Sequence, residues 1–111
     1  MKTKFTSFSI KGSIKKFNDT YIVKDNTTLK NLVLSSTLLY KNQSTTGHSH
    51  IGQEEVYHFL SGTGEMELDD KKFKVKKDDI VLIEDGVFHR VHNTGDTDLY
   101  FICVFDGKRN H

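Results

Sequence analysis

The chain has 111 residues, enough for one domain around one hydrophobic core. Its formal charge of +1 offers no field that would steer a polyanion, and its single cysteine excludes an internal disulfide and fits a reducing compartment. No stretch is long and apolar enough to span a bilayer, and Met1-Lys2-Thr3-Lys4-Phe5 lacks a signal-peptide core, so a cytoplasmic address is expected.

Proline is absent, so Gly, Asn and Asp must do the turning. Between those breaks, short apolar and β-branched runs predict strands near 5–10, 20–23, 31–40, 47–51, 54–61, 64–68, 72–76, 80–83, 87–93 and 98–105. Residues 1–17 carry few core positions and read as an edge strand or an arm that pairs with another subunit. Ser61-Gly62-Thr63-Gly64 and Leu68-Asp69-Asp70-Lys71 are hairpin connections, and Asn93-Thr94-Gly95-Asp96 is a further turn. In Lys71-Lys72-Phe73-Lys74-Val75-Lys76-Lys77 lysine alternates with apolar residues, as on a strand with one solvated face. Asp69, Asp70, Asp78 and Asp79 flank that run and argue against a nucleic-acid surface. The final run, Leu99 to Phe105, is apolar on both faces, which suits a strand buried on both sides within the barrel or under a dimer contact. No helical periodicity persists for three turns. The expectation is an all-β sandwich or barrel.

The chemistry is concentrated in His48-Ser49-His50-Ile51-Gly52-Gln53-Glu54-Glu55 and in Phe88-His89-Arg90-Val91-His92-Asn93. On a strand, residues two apart share a face, so His48 and His50 project together, roughly 6–7 Å apart. Gly52 permits a turn, and an antiparallel return would bring Glu55 beside the pair. His89 must come from a third strand. Three imidazoles and one carboxylate can close around a divalent metal. His58 and His92 have the opposite parity to Glu55 and His89 and are expected to face away as surface imidazoles, while His111 is terminal. Tyr57 and Phe59 share a face with Glu55, and Tyr57 is a candidate hydrogen-bond donor or proton shuttle at the site. Cys103 reads as a packed thiol.

These residues resemble the motifs of the cupin family. Its first motif has a Gly, five residues, His-x-His, three or four residues, Glu, six residues and Gly; His48, His50, Glu55 and Gly62 match. The second has Gly, five residues, Pro-x-Gly, two residues, His, three residues and Asn; Gly86, His89 and Asn93 match in register. Asn42 and Asp78 stand where the motifs begin with Gly, and Glu84 where the second has Pro. All three are turn positions. The resemblance covers about residues 30–106 of a single domain. It implies a double-stranded β-helix, or jelly-roll barrel, with His48, His50, Glu55 and His89 as ligands to one divalent transition metal.

Nitrogen and oxygen ligation without thiolate suits Mn, Fe, Ni, Zn or Cu. Four protein ligands leave up to two octahedral positions for a small molecule. One reading is an isomerase or epimerase of a sugar or sugar phosphate, with the metal as Lewis acid. Against it, only Lys41 and Arg90 lie near the motifs as basic residues, and Arg90 is expected to face out. A second reading is a dioxygenase of an aromatic or thiol substrate. A third is a small-molecule-binding module without turnover. A homodimer is expected, because a small barrel exposes an apolar sheet face.

Overall fold

The computed structural model describes residues 3–107 and Arg109. Nine strands follow in chain order: β1 (Ser13–Phe17), β2 (Tyr21–Asn26), β3 (Leu32–Leu39), β4 (Glu55–Ser61), β5 (Thr63–Leu68), β6 (Lys71–Lys76), β7 (Ile80–Ile83), β8 (His89–His92) and β9 (Leu99–Asp106). They form a six-stranded sheet ordered β1-β2-β3-β9-β4-β7 and a three-stranded sheet ordered β6-β5-β8. Every pairing between strands is antiparallel. This is an all-β jelly roll, as the resemblance implied, and it meets the strand spacing's expectation of a sandwich or barrel.

The core lies between the sheets. Alternation along β4 turns Glu55, Tyr57 and Phe59 inward, and along β9 it turns Leu99, Phe101, Cys103 and Phe105 inward. Phe59, Phe101, Phe105, Leu39, Met66 and Leu99 are among the side chains wholly withdrawn from water. Burial of each such side chain is worth about 1.5–3 kcal/mol. The apolar β9 occupies the middle of the large sheet, between β3 and β4, with Leu99, Phe101, Cys103 and Phe105 buried; Tyr100, Ile102 and Val104 on its outer face are only half-buried, so the expected burial on both sides is not met within the chain.

Two expected strands are absent. Residues 5–10 form a turn with a single bridge between Thr6 and Ser9, and lie against the large sheet's outer surface. There Phe8 stacks on Tyr100 at 5.0 Å and Tyr100 Oη donates to Ser7 O. The edge strand is instead β1, whose backbone pairs with β2. Residues 47–51 also fail to form a strand, since only His48 bridges β8, through His89. The chain must leave the small sheet after His48 to reach β4 in the large one, so a longer ladder cannot form.

Candidate metal centre

Glu55 opens β4 on the large sheet and His89 opens β8 on the small one. His50 lies in the loop between β3 and β4, and two glycines hold that loop in place. Gly86 N–H donates to His50 O at 2.8 Å, and Gly52 N–H donates to Asp85 Oδ1 at 2.8 Å. Both glycines have positive φ, near 83° at Gly52 and 81° at Gly86, a region that side chains with a Cβ disfavour. The loop carrying His50 is thereby laced to the turn before β8. His48 exchanges two backbone hydrogen bonds with His89, at 3.0 and 2.8 Å. Next to it, a Cβ on Gly47 would fall 2.2 Å from the end of the Phe88 ring, which packs against the glycine.

Glu55 does not reach the histidines by pairing beside them. β4 pairs with β7 and β9, and Glu55 meets the imidazoles across the barrel interior. His50 Nε2 is 3.6 Å and His89 Nε2 is 3.2 Å from Glu55 Oε1. Two ligand atoms each about 2.1 Å from one metal are roughly 3.0–3.4 Å apart for right-angled to tetrahedral geometry. The His89–Glu55 spacing falls in that range, and the His50–Glu55 spacing exceeds it by about 0.2 Å. All three residues are buried, and their ligand atoms lie within 4.8 Å of one another.

The donor chemistry fits as well. Neither carboxylate oxygen of Glu55 makes a hydrogen bond within the described residues, nor does His89 Nε2. Such burial is costly unless something else satisfies those atoms. His89 Nδ1 lies 3.2 Å from Val87 O, a contact that favours the proton on Nδ1 and leaves the Nε2 lone pair facing inward. A divalent ion would supply what these atoms lack.

The His48 ring stacks on His50 with centroids 5.6 Å apart and lies 6.4 Å from the His89 ring. It flanks the cluster, though it is not part of the group within 4.8 Å. Burial, with Lys16 and the neighbouring imidazoles adding to it, lowers the His48 pKa to about 4. Burial also lowers that of His50, against the pull of Glu55. Tyr57 is fully enclosed, stacked on Phe101 at 5.2 Å and edge-on to His89 at 5.9 Å. Burial raises its phenol well above the ordinary range and raises the Cys103 thiol in the same way, so both stay protonated near neutrality.

A cavity of about 40 Å³ adjoins the cluster, with Lys16, Thr37, His48, Tyr57, His89 and Arg109 among its walls. Arg109, Asp25 and Lys16 were not anticipated from the sequence. Asp25 is buried on β2 in phase with Tyr21 and Val23. Arg109 Nε and Nη2 donate to its two carboxylate oxygens at 2.6 and 2.8 Å, and Nη2 also donates to Ser35 Oγ at 2.9 Å. The inward parity of Asp25 was the one available signal. Arg109 gave none, since nothing local to a residue beyond the last strand says where it folds back.

The other histidines stand apart from the cluster. His58 is half-buried on the large sheet's outer face. His92 faces away as expected but is no bare surface imidazole, since Nε2 pairs with Glu67 Oε1 and Nδ1 lies 2.6 Å from Ser44 Oγ. His111 falls outside the described residues. Lys41 is exposed, and Arg90 Nε donates to Thr45 O.

Comparison with known proteins agrees with this architecture. The family of the cupin domain matches residues 37–105. An uncharacterized protein of Methanocaldococcus jannaschii, MJ1618, is 32% identical over 94 residues, covering 75% of each chain. An oxalate-binding protein of Thermotoga maritima is 37% identical over 57 residues, covering 51% of this chain and 47% of that protein. A Thermotoga maritima crystal structure, that of a predicted oxalate decarboxylase, superposes with a TM-score of 0.78 at 22% identity, over 90% of this chain and 96% of its own.

Proposed function

This chain belongs to the cupin domain family, and from that premise we propose that it is a metal-dependent binder of a small oxygen-chelating molecule. The metal would be held by His50, Glu55 and His89, with His48 as fourth ligand, and would act as the chelation template. The observation that carries this reading is the convergence of three buried ligand residues, of which the Glu55 carboxylate and His89 Nε2 lack a hydrogen bond among the described residues, beside a cavity of about 40 Å³. That volume accommodates roughly three waters or a compact chelate, far below the roughly 300–1,000 Å³ of ordinary ligand pockets. A sugar phosphate would need the walls to move. Tyr57 and Cys103, held neutral, are poor bases for moving a substrate proton, which favours binding over isomerisation. Tyr57 serves as a hydrogen-bond donor to the ligand. The naming of one relative for oxalate, a two-oxygen chelator, supports the same ligand class.

The test is metal content after purification without chelator, followed by calorimetric titration with two-oxygen chelators. One metal per chain and saturable binding are expected. His89→Ala should cut occupancy below about a tenth, consistent with loss of one of few ligands. Full occupancy in that variant would refute the assignment.

We propose also that the chain works as a homodimer through the outer face of β4, β7 and β9. Val56, Ile80 and Leu82 are 41%, 61% and 69% exposed there; Leu82, Val56 and Val104 form one apolar row, and in the next His58 stands between Ile80 and Ile102. Contiguous apolar surface of this kind marks an association face. Sedimentation should give twice the chain mass, and Leu82→Lys should give the single chain. A native protein that sediments at 12.7 kDa would exclude the dimer.

A further inference from the structure

We propose that Ser44, His92 and Glu67 form a second site, on the outer face of the small sheet, where Ser44 is acylated by small carboxylic esters. The site shares no side chain with the metal centre and does not depend on it.

The backbone sets the nucleophile in place. Ser44 stands directly opposite His92 in an isolated antiparallel bridge. Thr45 N–H donates to Val91 O on one side of it and Asn93 N–H to Gln43 O on the other, each at 2.9 Å. Opposed residues that do not themselves exchange backbone hydrogen bonds bring their side chains closest. Ser44 Oγ accordingly lies 2.6 Å from His92 Nδ1. On the far side of the ring, Nε2 pairs with Oε1 of Glu67, which reaches diagonally from β5. His92 is thus the middle member of a serine–imidazole–carboxylate chain. All three residues are half-buried, within reach of a small molecule.

The proton positions follow from the acid. Its hydrogen bond with His92 holds the Glu67 carboxyl below the usual range, so near neutrality it is a carboxylate, which only accepts. The proton of the neutral ring therefore sits on Nε2, and Nδ1 turns a lone pair to the Ser44 hydroxyl. An acid that fixes the tautomer and a basic nitrogen on a serine are the parts of an activated nucleophile, whichever nitrogen plays which role. Arg90 shares the outer face of β8, opposite Glu67, and its Nε donates to Thr45 O. A cation beside Ser44 favours negative charge on the carbonyl oxygen under attack. The backbone already holds this segment to β8, and a half-exposed ion pair adds little stability, so the fold does not require the chain of side chains. In the reaction, Oγ bonds to the acyl carbon as its proton passes to Nδ1. The ester C–O bond then breaks, and the departing alcohol takes that proton. Water repeats the sequence on the acyl-serine, which releases the carboxylic acid and restores the hydroxyl.

The experiment incubates the full chain, as purified, with a small alkyl fluorophosphonate, which bonds to an activated serine oxygen with loss of fluoride. One adduct per chain is expected, placed on Ser44 by peptide mass spectrometry and absent from Ser44→Ala. His92→Asn should slow labelling about a hundredfold, as for loss of a general base. Glu67→Gln should slow it at least about tenfold with the urea midpoint unchanged, which separates positioning of the imidazole from support of the sheet. Release of nitrophenol from p-nitrophenyl acetate should follow the same order across the variants. Ser44→Cys supplies a second readout: iodoacetamide should alkylate position 44 about tenfold faster than a free thiol, and His92→Asn should remove that advantage. Cys103 is buried and does not compete. An unlabelled chain, an adduct on another residue, or a His92→Asn variant labelled at the native rate would overturn the proposal. Prior treatment with chelator should leave labelling unchanged, so the outcome is read separately from that of the metal centre; loss of labelling with the metal would overturn the independence of the two sites.

Discussion

The barrel interior holds two polar clusters that differ in one respect. At Asp25 the chemistry is closed, because Arg109 meets both carboxylate oxygens and Ser35 shares the guanidinium. At Glu55 it is open, because neither oxygen has a hydrogen bond among the described residues and two imidazole nitrogens face the carboxylate. Both carboxylates are buried, Asp25 at 2% and Glu55 at 3% exposure, so burial alone does not separate them. The first is part of the architecture. The second is a group that could hold a cation.

The largest expected effect comes from opening the closed cluster. Arg109→Met strands the Asp25 carboxylate inside the barrel, and loss of one partner of a buried pair costs about 3–5 kcal/mol. Adding Asp25→Asn removes the stranded charge and should recover more than half of that loss. Urea unfolding of the two variants measures the difference. Equal stability of the single and double variants would mean that the pair is not buried in solution.

Closing the open cluster is the complementary manipulation. A divalent metal that binds only the folded chain should raise stability by about 2.7 kcal/mol at a hundred times its dissociation constant. Thermal unfolding with and without Mn²⁺ or Ni²⁺ reads this directly, and Glu55→Gln or His89→Ala should abolish the increment. A Glu55→Gln variant that still gains the full increment would place the cation elsewhere.

Acid acts on the His48 imidazole beside the open cluster in the metal-free protein. The folded-state pKa of His48 lies near 4, below the ordinary value of 6.5, so the unfolded chain takes up the proton first. Stability is then fully present above about pH 6.5 and is lost as pH falls toward 4. The ring is partly solvated, which screens the effect and makes it smaller than the two above. Urea midpoints at pH 7 and pH 4.5 should differ in that direction, with a shallower slope in His48→Asn.

The contrast between the clusters also explains what was legible in the sequence. His50, Glu55 and His89 were legible as candidate ligands because few residue types offer a metal-binding nitrogen or oxygen and their spacing matches the motifs; His48 shares that spacing but lies beside the group. The strands β3 to β9 were legible because Gly, Asn and Asp interrupt apolar runs. Asp25 and Arg109 were not, because they are 84 positions apart and their pairing is purely tertiary. Lys16 depended on a register shift that no local pattern encodes. The route by which Glu55 reaches the histidines was also illegible, because a short loop after Gly52 can return beside its own strand or cross to the other sheet.

The smallest effect concerns the departures from the motif. Asn42 and Asp78 stand where the cupin motifs have Gly, and both adopt positive φ, 66° and 76°. The backbone conformation that the motif glycine serves has thus been kept without the glycine. At Asp78 the turn is held by N–H donation to Phe59 O at 2.8 Å, which joins the β6–β7 connection to β4. A side chain in the left-handed region costs roughly 1–2 kcal/mol, less for Asp and Asn, whose short polar groups are tolerated there. Glycine would relieve that strain but adds roughly 0.5–1 kcal/mol of chain entropy lost on folding. The two terms nearly cancel, so Asp78→Gly should change stability by less than about 0.5 kcal/mol. Asp78→Ala keeps the strain and gives up the polar tolerance, and should cost about 1 kcal/mol. If alanine proves as stable as glycine, the turn does not hold its positive φ in solution, and the match of this position to the motif is one of spacing alone.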